Sequence, residues 1–208
     1  HHVPHRDEKH NPRDAGSPPS LGGSNRRGNA VSDLNNVGQT AEGYIIDIQD
    51  EFGASDLPLD RMQAAMIDVL TRHNAPKGTM ITVIVMGDEG VRDLNRQYRD
   101  VDAPTDVLSF PAEPLPQELQ TAITEAGEDD ALYLGDLILA YPYTASQAAA
   151  EGHDRADEFV LLVIHGTLHL LGYDHDSRER HTAMWDQQRL ALRAAGIAFD
   201  VSEFPLDD

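Results

Sequence analysis

Eleven residues, HGTLHLLGYDH at 165–175, constrain this chain more than any other stretch. They follow an unbroken apolar run, Phe159 to Ile164, which suits a helix only if most of its sides are covered. His165 and His169 are four residues apart, so in a helix both rings project from one face. Gly172 is a natural C-terminal stop that lets the chain fold back. His175 can then return towards the two helical rings. A fold that accommodates this must bring a helix end and the loop after it to one point near its core.

Cysteine is absent from the 208 residues. Disulfides, thiolate zinc sites and cysteine nucleophiles are therefore excluded, and a transition-metal site must use histidine, carboxylate or water. Three neutral imidazoles leave the fourth tetrahedral position open, which is the arrangement of a catalytic zinc. A closed structural site would need a carboxylate, with Asp174 or Asp176 at hand. The histidine spacing also invites comparison with zinc proteases, but those place a glutamate general base directly after the first histidine. Here that position is Gly166. His181, beside Arg178, Glu179 and Arg180, is expected in a solvated first turn, while His153 and His73 are expected as surface or capping residues. Trp185 is expected in the core.

Residues 1–42 are expected to be a disordered tail, rich in Pro, Gly, Ser and Asn with few apolar residues to offset the entropy of ordering. Its four histidines (His1, His2, His5, His10) read as uncommitted. The tail opens on His1 rather than Met, consistent with a truncated, processed or tagged start, and has no signal-peptide layout. Residues 43–208 are expected to form one domain. Strands are predicted at Tyr44 to Ile48, Met80 to Met86, Thr105 to Phe110 and Leu132 to Tyr141. Helices are predicted from Asp56 and Pro58 onward, from a cap at Asp88 with Val91, Leu94 and Tyr98 inward, over Ala145 to Ala150, over Arg155 to Leu171 and over Ser177 to Ala195. The acidic stretch from 112 to 131 is predicted to be a loop or small helix. The fold class is α+β: a single mixed sheet of about four strands packed with helices, one of them a zincin-like HxxxH helix. No apolar run is long enough to span a bilayer, so a soluble cytoplasmic protein is expected.

The formal net charge is −20, which argues against sequence-independent binding of nucleic acid. Net charge does not decide a local patch, however. Arg92, Arg96 and Arg99 fall at i, i+4 and i+7 on one helix stripe. That stripe is either a functional cationic edge or a solvated face paired with Asp88, Glu89, Asp93 and Asp100; the sequence leaves both open.

The block at 165–175 resembles the hallmark of the YbeY family of bacterial endoribonucleases. LNRQYRD at 94–100, PTDVLSFP at 104–111 and LGDL at 134–137 resemble further blocks of that family in the same order, so the similarity runs from about Tyr44 to Gly196. The resemblance implies a metal-dependent endoribonuclease specific for single strands, acting in ribosomal RNA maturation, notably at the 3′ end of the small-subunit RNA, and in ribosome quality control. It implies one zinc ion on His165, His169 and His175, with His165 and Arg99 as catalytic residues. Asp136 and Asp174 are candidates for orienting a ligand or contacting a partner, and Tyr173 could serve beside them. The implied partners are single-stranded RNA, ribosomal RNA and the small ribosomal subunit with its proteins; neither DNA nor a membrane is expected. The alternative is a ribosome-assembly binding factor whose zinc is mainly structural. The tail and the acidic stretch 112–131 depart from the family core.

Overall fold

The computed structural model describes residues 36–41, 43–113, 116–118, 121 and 132–198. Five strands form one mixed sheet: β1 (Asn36–Ala41), β2 (Tyr44–Asp50), β3 (Met80–Met86), β4 (Val107–Pro111) and β5 (Tyr133–Ala140), in the order β1-β2-β3-β5-β4. The central pairs β2–β3 and β3–β5 are parallel, and the two edge strands β1 and β4 run antiparallel to their neighbours. Five helices lie wholly within the described residues: α1 (Leu59–Arg72), α2 (Asp88–Arg99), α3 (Tyr141–Glu151), α4 (Arg155–Leu170) and α5 (Arg178–Ala194). The mixed α+β architecture is the one expected. The extra strand is β1, which lies inside the stretch 1–42 read as a tail. Its sequence, NVGQTA, carries no alternation of apolar residues; backbone pairing with β2, from Asn36 opposite Gln49 to Ala41 opposite Tyr44, defines it. The expectations for residues 1–35, and for most of 112–131, fall outside the described residues.

Alternation along the central strands divides the sheet into two faces. Ile46, Ile48, Ile81, Val83, Val85, Leu137 and Leu139 point to one side and are buried under α1 and α4. Ile84, Ile138 and Leu108 point to the other, where Val91 of α2 covers them. Helix α4 is packed by α1, α3, α5 and the sheet. Its run from Phe159 to Ile164 is correspondingly buried throughout, which accounts for a helix that is apolar on nearly every side.

Several local expectations shift. Pro142 does not simply end a strand; it occupies the first turn of α3, where its fixed φ and missing N–H cost nothing. Asp88 is not the cap of α2, which is Gly87; its carboxylate instead accepts the Tyr143 N–H at 3.0 Å, satisfying a donor in the first turn of α3. The helix expected to open at Asp56 and Pro58 starts at Leu59, after Pro58, and Asp56 instead accepts from Tyr141 and Arg155 at 2.6 and 2.8 Å. Tyr98 is exposed rather than inward, edge-on to Phe110 at 5.4 Å. Helix α4 begins as a good cap predicts, with the Asp154 side chain accepting the Asp157 N–H at 3.1 Å.

Candidate metal centre

The last two turns of α4 carry His165 and His169, and the chain then reverses at Gly172, whose φ of +101° is the left-handed conformation that a side chain would oppose. The reversal is closed by Gly172 N–H donating to His169 O and Tyr173 N–H to Leu168 O, each at 3.0 Å. His175 returns from it. The ring centroids lie 4.6 Å apart for His165 and His169, 5.2 Å for His169 and His175, and 5.9 Å for His165 and His175. One ring nitrogen from each residue lies within 4.8 Å of the other two.

Hydrogen bonds at the far side of two rings fix their tautomers. His169 Nδ1 donates to the carbonyl of Tyr173 at 2.9 Å, and His165 Nδ1 donates to Gln188 Oε1 at 2.8 Å. Both Nε2 atoms therefore carry lone pairs, and they face each other at 3.0 Å. Protonation would relieve that opposition, but it is disfavoured: burial above all, then the neighbouring histidines, pushes His165 down to about 4. Burial, and then the charges of His175 and Arg99, lowers His169 against the hydrogen bond to Tyr173. Two opposed lone pairs in a poorly solvated place, on rings that resist a proton, fit a metal cation. No carboxylate oxygen among the described residues joins the three-ring group. Asp174 instead accepts the backbone N–H of His175 at 2.7 Å, and Asp176 is held by Arg180 at 2.8 Å. The closed site that either could have made is not formed.

The rings sit in a cavity of about 620 Å³, whose wall includes Arg99, Asp174, Arg180 and Trp185. The arginine stripe resolves into two kinds of residue. Arg92 is bound by Asp102 at 2.8 and 3.1 Å, and Arg96 by Asp93 at 3.0 Å. Arg99 turns into the cavity, donating to the Ser109 carbonyl at 3.2 Å, and among the described residues no carboxylate pairs with it. The solvated-face reading holds for the first two arginines and not for the third.

Other expected residues divide as well. Asp136 lies on the sheet face opposite Leu137, hydrogen-bonded by Tyr133 and in register with Thr82. Leu137 packs under α4, so Asp136 cannot orient a ligand there; alternation along β5 separates the two. Trp185 is buried as expected, and its edge also walls the site, 5.8 Å from His165 and 6.1 Å from His175. His181 is not a freely solvated residue of a first turn: it stacks on Trp185 at 4.0 Å and lines the cavity. His153, expected as a surface or capping residue, is half-buried and hydrogen-bonds at 3.1 Å to Glu158, a carboxylate only 1 % exposed that requires a partner. His73 does sit at the end of α1, donating to Val69 O at 2.8 Å, and it also takes the Tyr173 hydroxyl at 3.1 Å. Gln188 was not singled out from sequence; its place, three residues beyond Trp185 on the helix after the histidine loop, was the available signal.

The profile of the family described as Endoribonuclease YbeY matches residues 46–196. The Endoribonuclease YbeY of Geobacillus kaustophilus (strain HTA426) is 36% identical over 139 residues, covering 67% of this chain and 87% of that protein. That of Halorhodospira halophila is 39% identical over 145 residues, covering 70% and 88%. Among solved structures, the solution structure of TM1509 from Thermotoga maritima superposes with a TM-score of 0.47 at 23% identity, covering 77% of this chain and 99% of that one. By the family profile and the identity to these relatives, the chain belongs to the Endoribonuclease YbeY family.

Proposed function

We propose that this chain is a zinc-dependent endoribonuclease that cuts single-stranded RNA in the cytoplasm, acting in ribosomal RNA maturation at the 3′ end of the small-subunit RNA and in ribosome quality control. The observation that carries this reading is the pair of Nε2 atoms 3.0 Å apart in a cavity that also holds Arg99. The names of the relatives support RNA as the substrate.

Three neutral imidazoles without an oxygen donor favour zinc over magnesium or calcium. When bound, such an ion supplies Lewis acidity towards a phosphoryl oxygen and a lowered pKa for water. The chain's own residues supply the rest. Gln188 and the Tyr173 carbonyl hold the His165 and His169 rings in the ligating tautomer. Arg99 offers guanidinium donors to the non-bridging oxygens of the scissile phosphate and stabilises the charge that grows there. Gly166 provides no side chain to act as a protease-type base. The attacking oxygen is that of water or the RNA's own 2′-hydroxyl; a 2′,3′-cyclic phosphate product selects the second.

The test is cleavage of single-stranded RNA by the purified chain. Cutting should disappear with a strong chelator, return with zinc, and be lost together with the metal in His169→Ala. A zinc-loaded, folded protein that leaves RNA intact would refute the reading. A second reading, a binding factor in ribosome assembly, is favoured by the net charge of −20, which suits basic ribosomal proteins. Asp136, on the sheet face away from the metal centre, is then the candidate contact. That reading predicts co-sedimentation with small-subunit particles that survives Arg99→Ala, without nuclease activity.

A further inference from the structure

The cavity extends well past the histidines. Glu158, Leu161, Leu162, His165 and His169 all line it, and at i, i+3, i+4, i+7 and i+11 they form one stripe along α4. From His165 back to Glu158 is about 10 Å of helix, of the order of the reach from a phosphate to the far edge of its own base. The two ends differ in charge. One holds Arg99 and the three imidazoles. The other holds Asp106 and Glu158, with apolar Leu161 and Leu162 between. A phosphate is attracted to the first end and repelled by the second, so a nucleotide has only one favourable direction in the cavity.

The acidic end is itself organised. Glu158 Oε2 is bound by His153 at 3.1 Å. Asp106 Oδ1 accepts the Val107 N–H at 2.7 Å and the Thr105 hydroxyl at 3.4 Å. No other residue among those described donates to the second oxygen of Asp106. Burial pushes both carboxyls up, as expected where water solvates them poorly.

We propose that this end of the cavity is a nucleobase site in which the free carboxylate oxygen of Asp106 accepts a hydrogen bond from an exocyclic amino group. The site therefore takes cytosine, adenine or guanine and disfavours uracil. Cytosine and uracil are the sharpest comparison, because the amino group of one is replaced by a carbonyl oxygen in the other, and that oxygen would face the carboxylate. This inference rests on the endoribonuclease reading for its substrate class, and it adds base selectivity through a residue that touches neither the metal ligands nor the phosphate.

Binding separates the two claims. Fluorescence anisotropy on the zinc-loaded full chain, with 2′-O-methyl oligocytidylate and oligouridylate that cannot be attacked by their own 2′-hydroxyl, should show about tenfold tighter binding of the cytidylate. Asp106→Asn keeps the acceptor for the Val107 N–H, so it should fold, and its amide can donate to uracil; the preference should fall to about unity or invert. Equal binding of the two oligonucleotides by the unsubstituted chain, or no binding of either, overturns the proposal without any variant. A preference unchanged in Asp106→Asn also overturns it. Selective binding without RNA cleavage would instead refute the nuclease reading and leave the base site standing.

Discussion

Gln188 Oε1 accepts the Nδ1 proton of His165 at 2.8 Å, so a residue of α5 determines which nitrogen of a ring on α4 faces the other histidines of the candidate metal centre. The Gln188 side chain is buried, and replacing it with Leu would leave Nδ1–H without a partner. Two losses should follow. The exposed tautomer is no longer fixed, which typically weakens metal binding by about 10- to 100-fold, and an unsatisfied donor costs about 1–3 kcal/mol of stability. Competition against a chelator and urea unfolding of the metal-free protein measure the two separately.

The metal-free protein should lose stability as it is acidified. Burial holds His165 down at about 4, below the ordinary 6.5. Between those values the unfolded chain binds the proton and the folded chain does not, so stability is fully present above about pH 6.5 and is lost as the pH falls towards 4. The raised carboxyls of Asp106 and Glu158 act in the opposite sense, favouring the folded state at low pH. The difference between the native chain and His165→Gln isolates the histidine. Thermal melts from pH 7.5 to 4 in chelator should show a steeper decline for the native chain; parallel curves would refute the assignment.

Arg99 and Arg96 should behave as different residues although they share a helix stripe. Arg96 is exposed and held by Asp93, an ion pair worth about 0–1 kcal/mol. Arg99 faces the cavity. Arg99→Ala should lower cleavage of single-stranded RNA by about 10²- to 10³-fold, as for the loss of one donor to a developing oxyanion, with metal content unchanged. Arg96→Ala should alter cleavage only by a few-fold. Comparable losses in both variants would mean that the stripe acts by general attraction of RNA rather than through one positioned guanidinium.

The histidine triad was legible because its geometry is local: helix spacing, a glycine stop and a short return are all written in eleven consecutive residues. The arginine stripe was legible as a stripe, but the sorting of Arg99 from Arg92 depends on Asp102, which the α2–β4 connection brings back. Gln188 and His181 sit on a helix that meets α4 only through tertiary packing, and nothing in their own spacing announces the contact. For Asp136 the block was legible but the choice between orienting a ligand and contacting a partner was not, because that depends on the sheet face; alternation in β5 puts Leu137, not Asp136, under α4. Strand β1 was missed because its placement rests on backbone pairing to β2, for which its side chains carry no pattern.

Gly166 lies between His165 and His169, and its role is steric. A Cβ there would meet Leu137 Cδ2 at 2.7 Å and Cδ1 at 3.0 Å. Leu137 is fully buried in the main core, so it has little room to turn aside. Alanine gains up to about 1 kcal/mol over glycine within a helix, while overpacking costs about 1–3 kcal/mol; the second effect should win, and Gly166→Ala should be less stable and hold metal more weakly as α4 is pushed off β5. If close approach is the cause, trimming the opposing side chain should relieve it. Gly166→Ala combined with Leu137→Val should therefore be more stable than the sum of the single changes allows, a coupling read from urea unfolding of all four proteins. Strict additivity would mean that the glycine is present for another reason, and that the spacing between α4 and the sheet is not set at this contact.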